Sequence, residues 1–164
     1  MKLPITWSLS VLLLLSVAVS AQESHGDGAT AGSADEGRAM IREARLEIVR
    51  SEFTLTADQS AEFWPLYLTY RGKMDAIQDR YGDMVADYLR RYNEANLTDE
   101  YADEMMSDYF DIQGELLATQ EKYLPKFRSI LPGLKVAKLY QLENKINADI
   151  DAQLANAIPL IESN

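Results

Sequence analysis

Apolar residues recur at helical intervals along most of the chain from Arg38 onwards. The most regular stretch has apolar positions separated alternately by four and three residues for about four heptads. These positions are Phe63, Tyr67, Tyr70, Met74, Ile77, Tyr81, Met84, Tyr88 and Tyr92. A heptad pattern of this length is typical of a long helix that packs along another long helix. We therefore predict a helix from about Ala57 to Glu94.

The partner helix is predicted directly after a polar turn at residues 93–96. Thr98 is a good N-cap, and the two acidic residues after it favour the positive end of a helix. One apolar set continues the heptad spacing: Ala102, Met105, Tyr109, Ile112, Leu116, Tyr123 and Phe127. A second set lies on another side of the same helix: Met106, Phe110, Leu117, Leu124 and Leu131. One side can pack on the preceding helix, and the other needs the terminal helices or a second subunit.

The remaining helices flank this hairpin. A first helix is predicted to begin near Arg38, and Pro132-Gly133 separates the hairpin from a last helix that ends near Ala157. Pro65 and Pro125 lie inside the predicted hairpin helices and should kink them. The predicted fold is all-α, with a long kinked helical hairpin and flanking N- and C-terminal helices.

The N-terminal residues resemble an export signal. Lys2 precedes an apolar stretch at residues 9–19 that is too short to span a bilayer, and small residues follow it. We predict a signal peptide at residues 1–21, with cleavage after Ala21. Residues 22–37 are rich in Gly, Ala, Ser and acids and are predicted to be a disordered leader. Residues 38–164 then form a single helical domain, which is not inserted in a membrane.

Charge and composition narrow the classes of function. The net charge is −10, which argues against binding to nucleic acids or anionic membranes. The chain has no cysteine, so thiolate metal sites and cysteine nucleophiles are excluded.

Catalytic and metal-binding patterns are weak. The sequence has no P-loop, nucleophile elbow or His-Glu-x-x-His motif, so we predict neither an enzyme nor a cofactor. The one histidine, His25, lies in the predicted leader. Acidic residues are dense at 99–111, and we interpret them as a solvated helix face rather than as a cation site. The methionines occupy heptad positions that favour packing over copper binding.

A short motif carries a family resemblance. Residues 55–59 read Leu-Thr-Ala-Asp-Gln, and residues 97–101 begin again with Leu-Thr. With Leu55, Thr56, Gln59, Leu97 and Thr98, the chain resembles the Spy/CpxP-like periplasmic proteins, whose Leu-Thr-x-x-Gln motif opens long helices. Tyr101 replaces the expected second Gln. Phe63-Trp64-Pro65 and Gln141-x-Glu143-Asn144 resemble a largely uncharacterised subgroup.

The resemblance implies a periplasmic protein with a four-helix, cradle-shaped fold that forms a homodimer. It also implies either an ATP-independent chaperone for unfolded proteins (clients) or an adaptor that binds one envelope-stress sensor or protease. A metal-responsive sensor is a third hypothesis. Two departures matter: the concave face of the known chaperone is basic whereas this chain is acidic, and the ligands of metal-sensing relatives are missing.

Candidate binding residues follow from the apolar surplus and the last helix. We predict a client or partner surface at five residues: Phe53, Phe63, Trp64, Met106 and Phe110. Gln141 and Asn144 are polar next to apolar positions of the last helix. They either hydrogen-bond across a dimer interface and fix its register or lie exposed, and the sequence favours neither.

Overall fold

The computed structural model describes residues 27–162, which form four α-helices and contain no β-strand. The helices are α1 (Asp27–Glu52), α2 (Ala57–Asn93), α3 (Asp99–Ile130) and α4 (Gly133–Ala157). The all-α prediction and the number of helices are confirmed, and the bounds of α2, α3 and α4 agree with the sequence pattern. Pro65 and Pro125 lie inside α2 and α3 without ending them.

The first helix begins earlier than predicted. It starts at Asp27 rather than near Arg38, so residues 27–37 of the predicted leader are helical. The stretch contains no proline, and its three alanines favour a helix while its three glycines oppose one, so helix propensity alone does not explain the earlier start. The predicted signal peptide lies outside the described residues. None of the described helices combines the length and apolarity needed to cross a bilayer.

The chain divides after Ser51 into two units, and the predicted single domain from residue 38 spans this division. The first unit contains α1. The second unit contains the α2–α3 hairpin and α4. It also contains the residues of both Leu-Thr motifs and all of the predicted binding and dimer-register residues. The packing described below is that of the second unit.

Both Leu-Thr motifs cap a helix. The Thr56 hydroxyl accepts a hydrogen bond from the Gln59 backbone N–H at 3.2 Å, and the Gln59 side chain accepts one from the Thr56 N–H at 3.3 Å. This reciprocal capping box is the one predicted from the sequence. At the second motif, Thr98 accepts from the Tyr101 N–H at 3.2 Å, and the tyrosine side chain cannot return the bond as an acceptor amide would.

In the turn between α2 and α3, the residue that follows the C-cap of α2 has a left-handed backbone conformation. The Asn96 N–H donates to the Arg91 carbonyl at 2.9 Å, and the Ala95 N–H donates to the Tyr92 carbonyl at 3.1 Å. This pair of bonds is a Schellman motif, which usually has glycine at its left-handed position. Here that position is Ala95, with φ of 52°.

The hairpin is tightly packed far from this turn and looser close to it. Phe63, Tyr70, Tyr123 and Phe127 are almost fully buried, with the Tyr70 ring 5.3 Å from the Tyr123 ring and 5.5 Å from the Phe127 ring. Nearer the turn, buried positions (Val85, Tyr88 and Ile112) are interspersed with half-buried ones (Met84, Tyr92, Met105 and Leu116). The core of the second unit therefore lies at the open end of the hairpin.

The last helix runs antiparallel to α3 and lies alongside α2. The Tyr140 hydroxyl donates to the Gln120 carbonyl at 2.8 Å. On the α2 side, Lys135 Nζ donates to Gln59 Oε1 at 2.7 Å, and the Tyr88 hydroxyl donates to the Pro159 carbonyl at 2.7 Å. These contacts place α4 along much of the length of α2.

Candidate binding surface

Two of the predicted surface residues are core residues. Phe63 is completely buried and Phe53 is 6% exposed, so the prediction that they belong to an exposed client surface is wrong. Their rings stack at 5.2 Å, and the Phe63 ring also stacks on the Tyr67 ring at 5.3 Å. Helical spacing identified both as apolar, but it did not show that the segment before α2 folds back onto that helix.

Trp64 occupies an intermediate position. Its side chain is half-buried, and its ring meets the rings of Phe63 and Tyr67 edge-on at 5.0 and 5.9 Å. Most of what the Phe63-Trp64-Pro65 sequence contributes is therefore packing at the start of α2.

The other two predicted surface residues are exposed on α3. Phe110 is 65% exposed and Met106 is 44% exposed. Leu117, which is 57% exposed, follows Phe110 by seven residues and lies on the same helix face. We call Met106, Phe110 and Leu117 the α3 stripe.

The second apolar set of α3 becomes covered towards the C-terminal end of the helix. Leu124 is half-buried and Leu131 is 3% exposed, because α4 packs against this end. Leu117 and Leu124 continue into a groove between α3 and α4, with Val136 and Tyr140 on its opposite wall. The groove has a volume of about 320 Å³. The α3 stripe and this groove therefore form one continuous apolar surface.

A second groove, between α2 and α3 near the turn, is polar. Its volume is about 460 Å³, and its walls carry Glu104, Asp108 and Asp111 of α3 opposite Arg80 and Arg91 of α2. This groove lies where the hairpin is loosely packed.

Tyr101, the departure from the family motif, lines the same polar groove. The Arg91 guanidinium lies over its ring at 4.3 Å and also donates from Nε to Asp87 at 2.9 Å. Burial and the charge of Asp87 raise the pKa of the Tyr101 hydroxyl. The ring thus packs under an arginine instead of completing a capping box.

A buried polar network joins α2 to α4. The Tyr67 hydroxyl donates to Glu143 Oε1 at 2.5 Å, and Arg71 donates to Glu143 Oε2 at 2.9 Å. Arg71 also donates to Asp75 at 2.5 Å and to Gln78 at 2.9 Å. Burial lowers the pKa of Arg71, but the charges of Glu143 and Asp75 outweigh this effect, so that its pKa lies above the usual value.

Glu143 belongs to the Gln141-x-Glu143-Asn144 pattern, but the sequence predicted no role for it and did not point to Arg71. A spacing signal for the burial of Glu143 existed. Glu143 lies four residues after Leu139 and three before Ile146, so it occupies the position of an apolar heptad residue. Both neighbours and Glu143 itself are buried. Gln141 and Asn144, for which the sequence left open either a contact that fixes a dimer register or an exposed position, are exposed. Their role at a dimer interface stays a prediction.

The described residues contain no group of three or more His, Cys, Asp or Glu side chains placed to hold a metal ion. His25 lies outside these residues. The arrangement that the structure does offer is an exposed apolar surface on α3, bordered by acidic residues.

Comparison of the chain with protein-family models, with curated proteins and with solved structures found no match. The resemblance to the Spy/CpxP-like proteins therefore rests on the motif residues and stays a prediction.

Proposed function

We propose that this protein is a periplasmic, ATP-independent chaperone-like protein that binds apolar segments of unfolded clients. The observation that supports the proposal best is the α3 stripe, with Phe110 more than half exposed between Met106 and Leu117. Three large apolar side chains on one helix face, outside the core, are more typical of a binding surface than of a surface with no partner.

Covering the α3 stripe would gain free energy from the burial of apolar side chains. Burying a Met, Leu or Phe side chain stabilises by about 1.5–3 kcal/mol relative to leaving it in water. A client segment that covers the stripe would recover part of this free energy, reduced by the entropy lost on association. The result is a moderate affinity that needs no nucleotide to release the client.

The chemistry of the stripe suits partners that differ in shape. Methionine is flexible and polarisable and fills irregular gaps, whereas phenylalanine offers a large rigid face. The adjoining groove between α3 and α4 offers Leu124 as a further contact. Such a surface can accept many apolar sequences without selecting one shape.

The location and assembly are part of the proposal. The predicted signal peptide and the Leu-Thr motifs favour the periplasm. A homodimer with a cradle-like fold follows from the same resemblance, and the exposed Gln141 and Asn144 are available for contacts between subunits. The mass of the protein in solution tests this part independently of client binding.

The test is suppression of the aggregation of a reduced, unfolded model protein. The wild-type chain should suppress light scattering at stoichiometric amounts without ATP. The variant M106S/F110S/L117S should lose most of this activity and keep its melting temperature, because the three side chains lie outside the core.

A matched control keeps the comparison specific. The variant L68S/L134S/L160S removes three leucines that are at least half exposed and lie outside the stripe. It should retain suppression. Equal activity of the two triple variants, or no suppression by the wild-type chain, would contradict the proposal. Capture of a single stoichiometric partner from an envelope extract, without suppression, would favour the adaptor instead.

A further inference from the structure

The segment of the chain that carries the α3 stripe has only acidic charges over a long stretch. Residues 92–121 contain no Lys, Arg or His and contain nine acidic residues. They are Glu94, Asp99, Glu100, Asp103, Glu104, Asp108, Asp111, Glu115 and Glu121. All nine are exposed. Arg80 and Arg91 lie across the polar groove from some of these acids, and Arg128 lines the groove that continues from the stripe. The acids outnumber these cations, so the net field of this region is negative and acts on a partner before contact.

Two of these acids border the stripe itself. Asp103 precedes Met106 by three residues, and Glu121 follows Leu117 by four, so both lie on the helix surface next to the stripe. Glu94 and Glu115 form exposed ion pairs with Arg90 and Arg80. Neither Asp103 nor Glu121 takes part in an ion pair within the described part of the chain. Their charges therefore remain available to a molecule that covers the stripe.

We infer that the α3 stripe selects basic amphipathic segments: helices with apolar side chains on one face and Lys or Arg beside them. This inference rests on the proposed function and names its client class. The apolar face would cover Phe110 and its neighbours through positions one turn apart, as in other helix-in-groove complexes. The flanking cations would meet Asp103 at one end and Glu121 at the other.

Charge also decides between this occupant and a second copy of the chain. A second copy placed on the stripe would bring its own acidic residues against these acids, and like charges in contact oppose association. An anionic membrane surface is repelled for the same reason. A basic segment is the occupant for which apolar burial and charge act in the same direction.

The test uses three fluorescent peptides of equal length with the same apolar positions on one helix face. Their polar positions are filled with Lys, Gln or Glu, and binding to the full chain is measured by anisotropy. The Lys peptide should bind most tightly, the Gln peptide less tightly and the Glu peptide least. Added salt should weaken the binding of the Lys peptide but hardly affect the binding of the Gln peptide, since salt screens charges beyond about 10 Å at 0.1 M.

Two charge variants locate the effect. D103N/E121Q removes the acids beside the stripe, and E62Q/D149N removes two exposed acids on α2 and α4. Both variants change the net charge equally. D103N/E121Q should lower the affinity for the Lys peptide about three- to tenfold at low salt and leave the affinity for the Gln peptide unchanged. E62Q/D149N should lower the affinity for the Lys peptide by less than about twofold.

The outcomes separate the inference from the proposed function. Equal affinity for all three peptides would overturn the charge selection and leave apolar binding intact. Equal effects of the two charge variants would overturn the assignment to the α3 stripe. No binding of any peptide would overturn both this inference and the proposed function.

Discussion

Arg71 of α2 and Glu143 of α4 form an ion pair of 2.9 Å, with side chains that are 8% and 3% exposed. The Tyr67 hydroxyl completes the contact from the same side of α2 by donating to the other carboxylate oxygen. Two ions withdrawn from water in this way are stable only while each has its partner. The pair therefore fixes how α4 lies on α2.

Removing one partner of this ion pair should destabilise the protein strongly. We expect Glu143→Ala to lower the free energy of unfolding by about 3–5 kcal/mol, because it leaves the Arg71 charge buried with incomplete compensation. Urea unfolding followed by circular dichroism measures the change. The control is Glu115→Ala, which breaks the exposed pair with Arg80 and should cost less than about 1 kcal/mol.

Replacing both ions by apolar residues should restore much of the loss. The double variant R71M/E143L removes both ions of this pair, and such replacements are often close to neutral. We expect it to unfold at a higher urea concentration than E143A. A double variant less stable than E143A would show that the network contributes more than compensation of its own charges.

The left-handed alanine in the α2–α3 turn predicts a stabilising substitution. Ala95→Gly should raise the free energy of unfolding by about 1 kcal/mol, because glycine adopts a positive φ without the steric cost that a Cβ imposes. Ala86→Gly is the matched control: it makes the same change at an exposed position inside α2 and should destabilise by about 0.5–1 kcal/mol. A change in the free energy of unfolding of the same sign for both variants would rule out a left-handed conformation at Ala95.

The uneven packing of the hairpin predicts unequal costs of truncation. Phe127→Ala, at a completely buried ring, should cost about 3–5 kcal/mol. Tyr109→Ala, at a half-buried ring 6.3 Å from the Tyr81 ring, should cost about 1–2 kcal/mol. Chemical denaturation measures both variants. Similar losses would mean that the hairpin is packed evenly along its length.

The raised pKa of the Tyr140 hydroxyl leads us to expect a loss of stability at alkaline pH. Burial, with a further contribution from the Glu143 charge, raises the pKa of its hydroxyl from 10.0 to about 12. Since the folded pKa lies above the unfolded value, the contribution of Tyr140 to stability is complete below pH 10 and is lost as the pH rises through 12. The urea concentration at the unfolding midpoint should fall between pH 10 and pH 12. Tyr140→Phe should make the fall less steep, whereas an unchanged slope would assign the effect to other groups.

Much of the fold could be predicted because the relevant signals are local. The heptad spacing fixed the two hairpin helices, and Thr56 and Thr98 marked where they begin, since capping depends on residues within one turn. Pro132 likewise marked the boundary before α4.

The remaining features depend on contacts between distant segments. Periodicity does not show which apolar side will be covered, so Phe53 and Phe63 were assigned to the surface although they are core residues. The burial of Glu143 was not predicted because a carboxylate on a helix is usually solvated, and only its partners 72 and 76 residues away explain its burial. By contrast, Met106 and Phe110 are exposed, and their role as a client surface stays a prediction.

The most direct test of the account is photocrosslinking from the α3 stripe to an aggregating client. A photoreactive phenylalanine analogue is placed at position 110, and a second protein carries it at position 134, where Leu134 is 89% exposed outside the stripe. The account predicts that the client is crosslinked several-fold more from position 110 than from position 134, without nucleotide. Equal crosslinking from both positions, or none from position 110 while aggregation is suppressed, would contradict it.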